Sequence, residues 1–503
     1  MQYQNPIVSG MNPDPSVCRV GDDFYLVNST FEYFPGIPVY HSTDLVNWEQ
    51  IGHCLTRDSQ VILPKGAANC IGIYAPTIRY HEGTFYCVVT NVGSKIYNGN
   101  FYVWTNDPYG EWSDPIYLDF EGIDPSLFFD DDGKAYYIGA GDGIYICEID
   151  IKTGEKRDEV KTVWYGSGAN NPEGPHLYKI NGMYYLMLAE GGTESGHMET
   201  IARSKNIYGP YIPCQMNPIL TNRGTDLPIK AIGHADLVDD KNGNWWAVCL
   251  GIRPISYPFR HNLGRETMLV PVKWINGWPV MGSVDVTMEV PCLAGEKTKS
   301  TGRYVPGSDV VDNFKGDKLH PSWNYIYNPV DSLVELSKDG LILHGNENGL
   351  SVDDSKAILC RRQEHFEFEA EMTMHFEPKE ACEAGITIYM NPRHHYEAAI
   401  TMLDGQECVM LRRRIGSLQA IEKVIPLKDT KNIKLRLTGD KNKYEFGYSL
   451  GDDNYTILGA GETSYITTEV GGCFTGNYIG IYASGTKDAV ADALITEFTY
   501  SGK

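Results

Sequence analysis

The sequence lacks the features of a nucleic-acid-binding or membrane protein. Its 43 Lys and Arg residues are outnumbered by 65 Asp and Glu residues, giving a net charge of −22, whereas a phosphate-binding surface needs positive charge. No apolar run approaches the length of a membrane span. The N-terminus, Met-Gln-Tyr-Gln-Asn-Pro, has no basic-then-apolar signal segment. We therefore expect neither nucleic acid nor a membrane as a partner.

Paired cysteines are also missing. The twelve cysteines are scattered, with no CxxC pair and no zinc-ligand spacing. Cys87, Cys147 and Cys249 lie in strand-like runs and are interpreted as small buried hydrophobic residues. This pattern favours a reducing compartment. We expect a cytoplasmic protein; the alternative is a periplasmic or secreted protein whose signal peptide has been removed.

Long helical patterns are missing too, whereas 33 Tyr and 52 Gly are typical of a β-rich chain with many turns. The strongest hairpin signals are Asp-Gly at 132–133 and Asn-Gly at 181–182 and 242–243, each between apolar runs. A chain of 503 residues is too long for one ordinary core. The sequence therefore predicts an all-β protein of two or three domains.

Three short acidic contexts recur before strand-like runs. They are Asn-Pro-Asp-Pro-Ser at 12–16, Gly-Ile-Asp-Pro-Ser at 122–126 and Asn-Pro-Glu-Gly-Pro at 171–175. Ala75 and His234 occupy the corresponding places in two further repeats, so the steps between them are 61, 49, 49 and 61 residues. Repeats of about 50 residues predict the blades of a propeller. The alternative is a β-sandwich with coincidental spacing.

The pattern changes at 293–309, a polar segment that we interpret as the linker between domains 1–295 and 308–503. Beyond it, strands recur about every ten residues without blade repeats, which predicts an antiparallel two-sheet sandwich. The predicted strands are Phe366–His375, Ala384–Met390, Tyr396–Met402, Cys408–Arg413, Asn432–Thr438, Tyr444–Ser449 and Tyr478–Ala483.

The acids of the repeat predict a chemistry. Equivalent positions of successive blades converge on the axis of a propeller, so Asp14, Asp124 and Glu173 should share one pocket. Cleavage of a glycosidic bond needs one carboxylic acid and one carboxylate. The alternative for each Asp alone is structural, because Asp before Pro often starts a turn.

These acidic contexts, the segment Ser-Thr-Phe-Glu-Tyr-Phe-Pro-Gly at 29–36 and Leu-Gly-Arg-Glu-Thr at 263–267 resemble glycoside hydrolase family 43. The resemblance is strongest to its two-domain β-xylosidase and α-L-arabinofuranosidase type, a five-bladed propeller followed by a concanavalin-like β-sandwich packed on it. It implies that Asp14 is the general base, Glu173 the general acid, and Asp124 the residue that orients Glu173 and tunes its pKa. It also implies inversion, with base and acid about 6.5–9.5 Å apart.

The resemblance assigns further residues. Arg265 would bind sugar hydroxyls, the alternative being a surface ion pair with Glu266. His234 would face the hub and contact a structural calcium or its waters, although calcium prefers oxygen ligands; the alternative is a core histidine. No cofactor is expected to be required.

The same resemblance predicts the walls of the sugar site. Phe31 and Tyr74 would line it, with Ala75 beside them, although the family more often has Trp at the place of Tyr74. Phe474 would reach the pocket mouth from the sandwich.

The expected partner is an oligosaccharide, with self-association of the chain left open. The expected activity is removal of a terminal β-D-xylose or α-L-arabinofuranose. One alternative is a catalytically silent carbohydrate-binding propeller. The other is a retaining five-bladed enzyme of the fructan-cleaving kind, from whose opening motif Asn-Pro-Asp-Pro-Ser departs.

Overall fold

The computed structural model describes residues 1–66, 70–94, 99–428, 432–451, 454–472, 474–487, 489 and 491–503. Nearly all regular structure in these residues is β. Besides the 3-10 residue Gly99, their helices are one four-residue α-helix, α1 (Thr468–Gly471), and a 3-10 turn at Thr463–Tyr465. The expected lack of long helices is confirmed for these residues, and none of their helices is long and apolar enough to cross a membrane.

The chain forms two compact units. The first comprises Met1–Pro64, Ile71–Arg253 and Arg265–Pro306, and the second Lys65–Cys70, Pro254–Gly264 and Gly307–Lys503. The chain thus passes to the second unit inside the polar segment 293–309. Two short segments of the first half group with the second unit, which the sequence pattern did not indicate.

The first unit contains five antiparallel sheets of four principal strands each. Its strands are β1 (Gln2–Gln4), β2 (Ser16–Val20), β3 (Asp23–Val27), β4 (Tyr33–Phe34), β5 (Gly36–Ser42), β6 (Glu49–Leu55), β7 (Gly72–Ile73), β8 (Thr77–His81), β9 (Thr84–Val92), β10 (Asn100–Thr105), β11 (Ile116–Tyr117), β12 (Ile123–Phe129), β13 (Ala135–Gly141), β14 (Gly143–Ile149), β15 (Lys161–Trp164), β16 (Glu173–Ile180), β17 (Met183–Glu190), β18 (Met198–Ser204), β19 (Ile212–Pro213), β20 (Lys230–Asp239), β21 (Trp245–Ile252), β22 (Glu266–Ile275), β23 (Trp278–Val280) and β24 (Thr287–Glu289).

These sheets are the blades of the predicted five-bladed propeller. The first strands of the blades, β2, β8, β12, β16 and β20, contact one another in that order, and β20 contacts β2 to close the ring. Apolar clusters fill the space between neighbouring sheets. The start of the chain bonds to the end of the first unit, which closes the ring. Strand β1 pairs with β24, and the Asn12 N–H donates to the Arg265 carbonyl (3.0 Å).

The repeated sequence contexts share one backbone conformation. Asp14, Asp124 and His234 adopt left-handed φ values of 52°, 53° and 53°, and strands β12, β16 and β20 shift register where they pair with the next strand. In the fourth blade the left-handed position is Gly174 (φ 56°), so Glu173 lies one residue before the place first aligned with Asp14. A Cβ on Gly174 would lie 2.8 Å from the His234 ring, which explains the glycine.

A buried charge cluster joins the blades at the axis. Asp236 of β20 accepts hydrogen bonds from the Ser16 hydroxyl (2.6 Å), from Arg79 (2.8 and 3.1 Å) and from the Tyr178 hydroxyl (2.6 Å). The Arg79 guanidinium also lies 2.9 Å from Nδ1 of His176. Asp236 and its partners thereby tie together the first, second, fourth and fifth blades.

The second unit is an antiparallel two-sheet sandwich. Its strands are β25 (Val310–Asp312), β26 (Tyr325–Ile326), β27 (Val334–Ser337), β28 (Gly340–Gly345), β29 (Ala357–Arg362), β30 (Phe368–Phe376), β31 (Glu383–Asn391), β32 (His394–Leu403), β33 (Gln406–Ile415), β34 (Leu418–Pro426), β35 (Ile433–Gly439), β36 (Lys443–Ser449), β37 (Thr456–Glu462), β38 (Tyr478–Ser484) and β39 (Ala491–Gly502).

One sheet has the order β27-β28-β39-β30-β35-β36-β37, with β25 beside β39, and the other the order β29-β38-β31-β32-β33-β34. An extended apolar cluster lies between them. All seven strands predicted in this half are present, with bounds shifted by a few residues. Eight further strands of the described residues were not predicted: β25, β26, β27, β28, β29, β34, β37 and β39. Of these, β34 has side chains that are almost all exposed and show no burial alternation.

The buried cysteines are as expected, because Cys87, Cys147 and Cys249 are buried free thiols. Cys70 differs: it is disulfide-bonded. The absence of a CxxC spacing in the sequence did not reveal this bond.

The hub cluster generates a stability prediction. Asp236→Asn leaves Arg79 buried without a charged partner, so we expect the free energy of unfolding to fall by about 3–5 kcal/mol. Urea unfolding followed by tryptophan fluorescence measures it. The matched control is Asp239→Asn, on the same strand as Asp236. It removes a part-exposed ion pair with Arg19 and should cost about 0–1 kcal/mol. Equal losses in the two variants would contradict the role of the hub.

Candidate active site

The ends of the innermost strands bring the predicted acids together. Asp14 precedes β2, Asp124 is the second residue of β12, and Glu173 is the first of β16. His234 lies in β20, and Arg265 directly precedes β22. Asp124, Asp14, His234 and Arg265 all act on the pKa of Glu173. Five ionisable side chains from four blades therefore share one site.

Asp14 is held as a carboxylate. Its Oδ1 accepts a hydrogen bond from Nη1 of Arg265 (2.8 Å), and its Oδ2 accepts one from the Ser29 hydroxyl (2.6 Å). Burial alone would raise the pKa of Asp14, but Arg265, His234 and the Ser29 hydroxyl outweigh it, and the pKa lies below its usual range. An ionised carboxylate can accept a proton.

Glu173 has the opposite tendency. Burial and then the negative charge of Asp124 raise the pKa of Glu173 to about 7, against the lowering effect of His234. The side chain therefore keeps its proton in weakly acidic solution and can donate it.

His234 is a buried cation. Its Nε2 lies 3.5 Å from Oδ2 of Asp124. Burial would lower the pKa of His234, but Asp124, Asp14 and Glu173 raise it to about 10. Among the described residues, no group of three His, Cys, Asp or Glu side chains could hold a metal ion. The contact of His234 with a calcium ion or its waters stays a prediction.

Arg265 pairs with Asp14, and Glu266 pairs elsewhere. Glu266 accepts two hydrogen bonds from Arg253 (2.7 and 2.8 Å) and one from the Gly10 N–H (2.9 Å). Nη1 of Arg265 also lies 3.4 Å from the Thr193 hydroxyl. The geometry thus differs from the surface ion pair considered as the alternative for Arg265.

Aromatic side chains surround the charged groups. The Phe31 and Tyr74 rings lie 5.2 Å apart, and the Arg265 guanidinium lies 5.6 Å from the centre of the Phe31 ring. Burial and Asp124 raise the pKa of Tyr74, which places its hydroxyl within electrostatic reach of the acids. Ala75 is buried. Tyr74 therefore lies beside Phe31, and Phe31 beside Arg265; their role as walls of the sugar site stays a prediction.

Phe474 belongs to the second unit. Its side chain is 39% exposed, and its N–H donates to Sγ of Cys70 (2.7 Å). Its contribution to the sugar site stays a prediction.

Sequence reasoning missed two buried residues: His197, in the loop between β17 and β18, and Glu199, in β18. His197 lies near Asp14, and burial lowers the pKa of His197 to about 4, so it is neutral at pH 7. Glu199 accepts a hydrogen bond from the Ala235 N–H (3.1 Å), and burial raises its pKa well above the usual range. Neither residue lies in a repeated context, so no sequence signal marked them.

Glycoside hydrolases use one ionised carboxylate together with one carboxylic acid of raised pKa. Asp14 and Glu173 form such a pair. The comparisons with known proteins agree. The family model described as glycosyl hydrolases family 43 matches residues 3–279, and the one described as beta xylosidase C-terminal concanavalin A-like domain matches residues 311–501. The chain belongs to glycosyl hydrolase family 43.

The similar curated proteins have pentosidase names. A non-reducing end alpha-L-arabinofuranosidase of Bacteroides ovatus is 43% identical over 97% of this chain and 92% of that protein. A beta-xylosidase of Bacillus subtilis is 33% identical, with 100% of each chain covered.

Solved structures show the same architecture. The GH43B protein of a Bacteroides ovatus xyloglucan locus superimposes with a TM-score of 0.94 at 41% identity, covering 100% of both chains. A xylan beta-1,4-xylosidase of Bacillus halodurans superimposes with a TM-score of 0.91 at 31% identity, covering 99% of this chain and 100% of that one.

The pKa of Glu173 generates a prediction for pH dependence. A donor with a pKa of about 7 loses its proton as the pH rises, so kcat/KM should fall above about pH 7. Asp124→Asn removes the negative charge that raises this pKa, so the alkaline limb should move to lower pH. Measured pH profiles of kcat/KM test this.

Asp130→Asn is the matched control, because Asp130 follows the same strand but pairs with Lys179. The alkaline limb of its kcat/KM profile should stay at the pH of the wild type. An alkaline limb that Asp124→Asn leaves unmoved, or moves to higher pH, would contradict the assigned effect of Asp124 on Glu173.

Proposed function

We propose that this enzyme is an inverting, exo-acting glycoside hydrolase. It releases terminal β-D-xylose, α-L-arabinofuranose or both from xylan-derived or arabinose-decorated oligosaccharides. The opposite protonation tendencies of Asp14 and Glu173 in one pocket are the observation that carries the proposal. The similar proteins are named as arabinofuranosidases and xylosidases, which supports the choice of sugar.

Hydrolysis needs two coupled proton transfers. Asp14 takes a proton from a water molecule as the water oxygen attacks the anomeric carbon. Glu173 gives its proton to the leaving oxygen as the glycosidic bond breaks. Water adds on one face and the alcohol leaves from the other, so the configuration inverts. The enzyme ends with Asp14 protonated and Glu173 ionised, and exchange with solvent restores both.

The other charged groups prepare this reaction. Asp124 keeps the proton on Glu173 by raising its pKa, and His234 neutralises Asp124 at 3.5 Å. Arg265 fixes Asp14, and its guanidinium binds sugar hydroxyls. Phe31 and Tyr74 offer apolar rings to the faces of the sugar.

The assigned roles predict the behaviour of three nearly isosteric variants. Asp14→Asn, Asp124→Asn and Glu173→Gln should each lower turnover of an oligosaccharide by at least about a hundredfold, the usual contribution of general acid–base catalysis. Glu173→Gln should recover on an aryl glycoside with a strongly activated leaving group, because such a group needs no proton. Asp124→Asn should recover in part, because Asp124 acts through Glu173, whereas Asp14→Asn should not recover.

The measurement is kcat on xylobiose or an arabinosyl oligosaccharide beside a dinitrophenyl glycoside of the same pentose. Asp239→Asn is a control for substitution of a carboxylate on the propeller away from the site. Near-normal turnover of the oligosaccharide by Glu173→Gln would refute its assignment as the acid.

The competing functions have separate tests. Release of nitrophenol from nitrophenyl β-D-xylopyranoside and α-L-arabinofuranoside identifies the sugar, and release from neither would favour a silent carbohydrate-binding propeller. Proton NMR of the first-formed sugar gives the anomer, and retention would favour the fructan-cleaving kind of mechanism.

We also propose that hydrolysis requires no metal, because the pocket's own side chains supply the base, the acid and both cations. Dialysis against a chelator should leave kcat/KM unchanged, and adding calcium back should not increase it. Loss on chelation with recovery on calcium would refute this. Association between copies and a cytoplasmic location remain predictions; gel filtration tests the first.

A further inference from the structure

Glu190, the last residue of β17, is a fully buried carboxylate outside the five ionisable groups of the site. Its Oε1 accepts hydrogen bonds from the Ser167 N–H (2.7 Å) and the Thr200 hydroxyl (2.6 Å). Its Oε2 accepts from the Ser167 hydroxyl (3.1 Å) and the Ala169 N–H (3.0 Å). Three of these four bonds hold one short segment, residues 167–169.

This segment leads directly to the general acid. Glu173 follows Ala169 by four residues, and the Gly191 N–H, next to Glu190, donates to the Asn170 carbonyl (2.7 Å). Gly166 allows the close approach, because its φ is 77° and a Cβ there would lie 2.9 Å from the Glu190 carboxyl group. The whole path from residue 166 to residue 170 is therefore fastened to Glu190 and its neighbour.

Glu173 itself is also held by β17, the strand that ends at Glu190. Glu173 pairs with Ala189, the residue before Glu190, and the register shift of β16 follows immediately. Because Glu173 begins its strand, the loop before it decides the direction in which its side chain leaves the sheet. Glu190 holds that loop where regular strand pairing ends.

We propose that Glu190 is a positioning residue for the general acid, fixing Glu173 through the 166–170 loop. The inference depends on the proposed role of Glu173. Its consequence is selective: loosening the loop should impair proton donation to the leaving group more than attack by water, because Asp14 is held separately by Arg265 and Ser29.

Glu190→Gln tests this. The amide keeps the shape, but its NH₂ group cannot accept from the loop N–H and hydroxyl donors. A displacement of about 1 Å at a reacting group can cost about a hundredfold. We therefore expect kcat on the oligosaccharide to fall roughly ten- to a hundredfold, with less than about a threefold fall on the dinitrophenyl glycoside.

Two further readouts distinguish positioning from general damage. Along a series of aryl glycosides from dinitrophenol to phenol, log kcat should depend more steeply on leaving-group acidity than in the wild type. The alkaline limb of kcat/KM should move to lower pH, because Glu173 leaves the surroundings that keep it protonated. Ser167→Ala, which loses one of the loop bonds, should shift both readouts the same way by a smaller amount.

Asp240→Asn is the matched control. Asp240 is also buried, and its Oδ1 accepts hydrogen bonds from the Asn242 and Asn244 N–H groups of a turn in the fifth blade (2.8 and 2.9 Å). It has no part in holding the acid loop, so the leaving-group slope and the pH limb should match the wild type.

The outcomes separate this inference from the proposed function. If Glu173→Gln shows leaving-group rescue and folded Glu190→Gln loses activity equally on all substrates with an unmoved limb, the inference is wrong and the function stands. If Glu173→Gln shows no rescue, the acid assignment itself fails. If Glu190→Gln does not fold, unchanged slope and limb in Ser167→Ala overturn the inference.

Discussion

The propeller depends on one buried carboxylate at its axis. Asp236 gathers donors from the first, second and fourth blades, and the third is tied in by the hydrogen bond from the Ser126 hydroxyl to the Pro175 carbonyl (2.6 Å). Asp236 and Ser126 each lie two residues beyond a charged residue of the site, His234 and Asp124. The interaction that holds the innermost strands together therefore also fixes the distances between the catalytic groups, which no single blade could do.

Charge balance explains how the pocket tolerates its burial. With Glu173 protonated, the two carboxylates Asp14 and Asp124 face the two cations Arg265 and His234, and the formal charges sum to zero. Ionising Glu173 would leave one uncompensated negative charge among buried groups, which is costly. The raised pKa of Glu173 is thus a property of the whole set, and the same set keeps Asp14 ionised.

The sequence predicts the features that depend on local pattern. Hairpin turns, blade spacing and the alternation of Phe368–Phe376 are visible because they depend on neighbouring residues, and the acids stand out because they repeat. The sequence did not reveal that Glu173 lies one residue before the left-handed position of its blade, because a bulge inserts a residue without changing composition. Glu190, Glu199 and Asp236 could not be assigned roles, because their partners are distant along the chain.

The left-handed position at the start of the innermost strands has a wider meaning. It carries Asp, Asp, Gly and His in four blades, with almost the same backbone angle in each. The scaffold therefore repeats one backbone conformation and varies the side chain on it, except at Gly174, where the His234 ring leaves no space for a side chain. At the other three positions a single substitution could change the chemistry of the site without moving a strand.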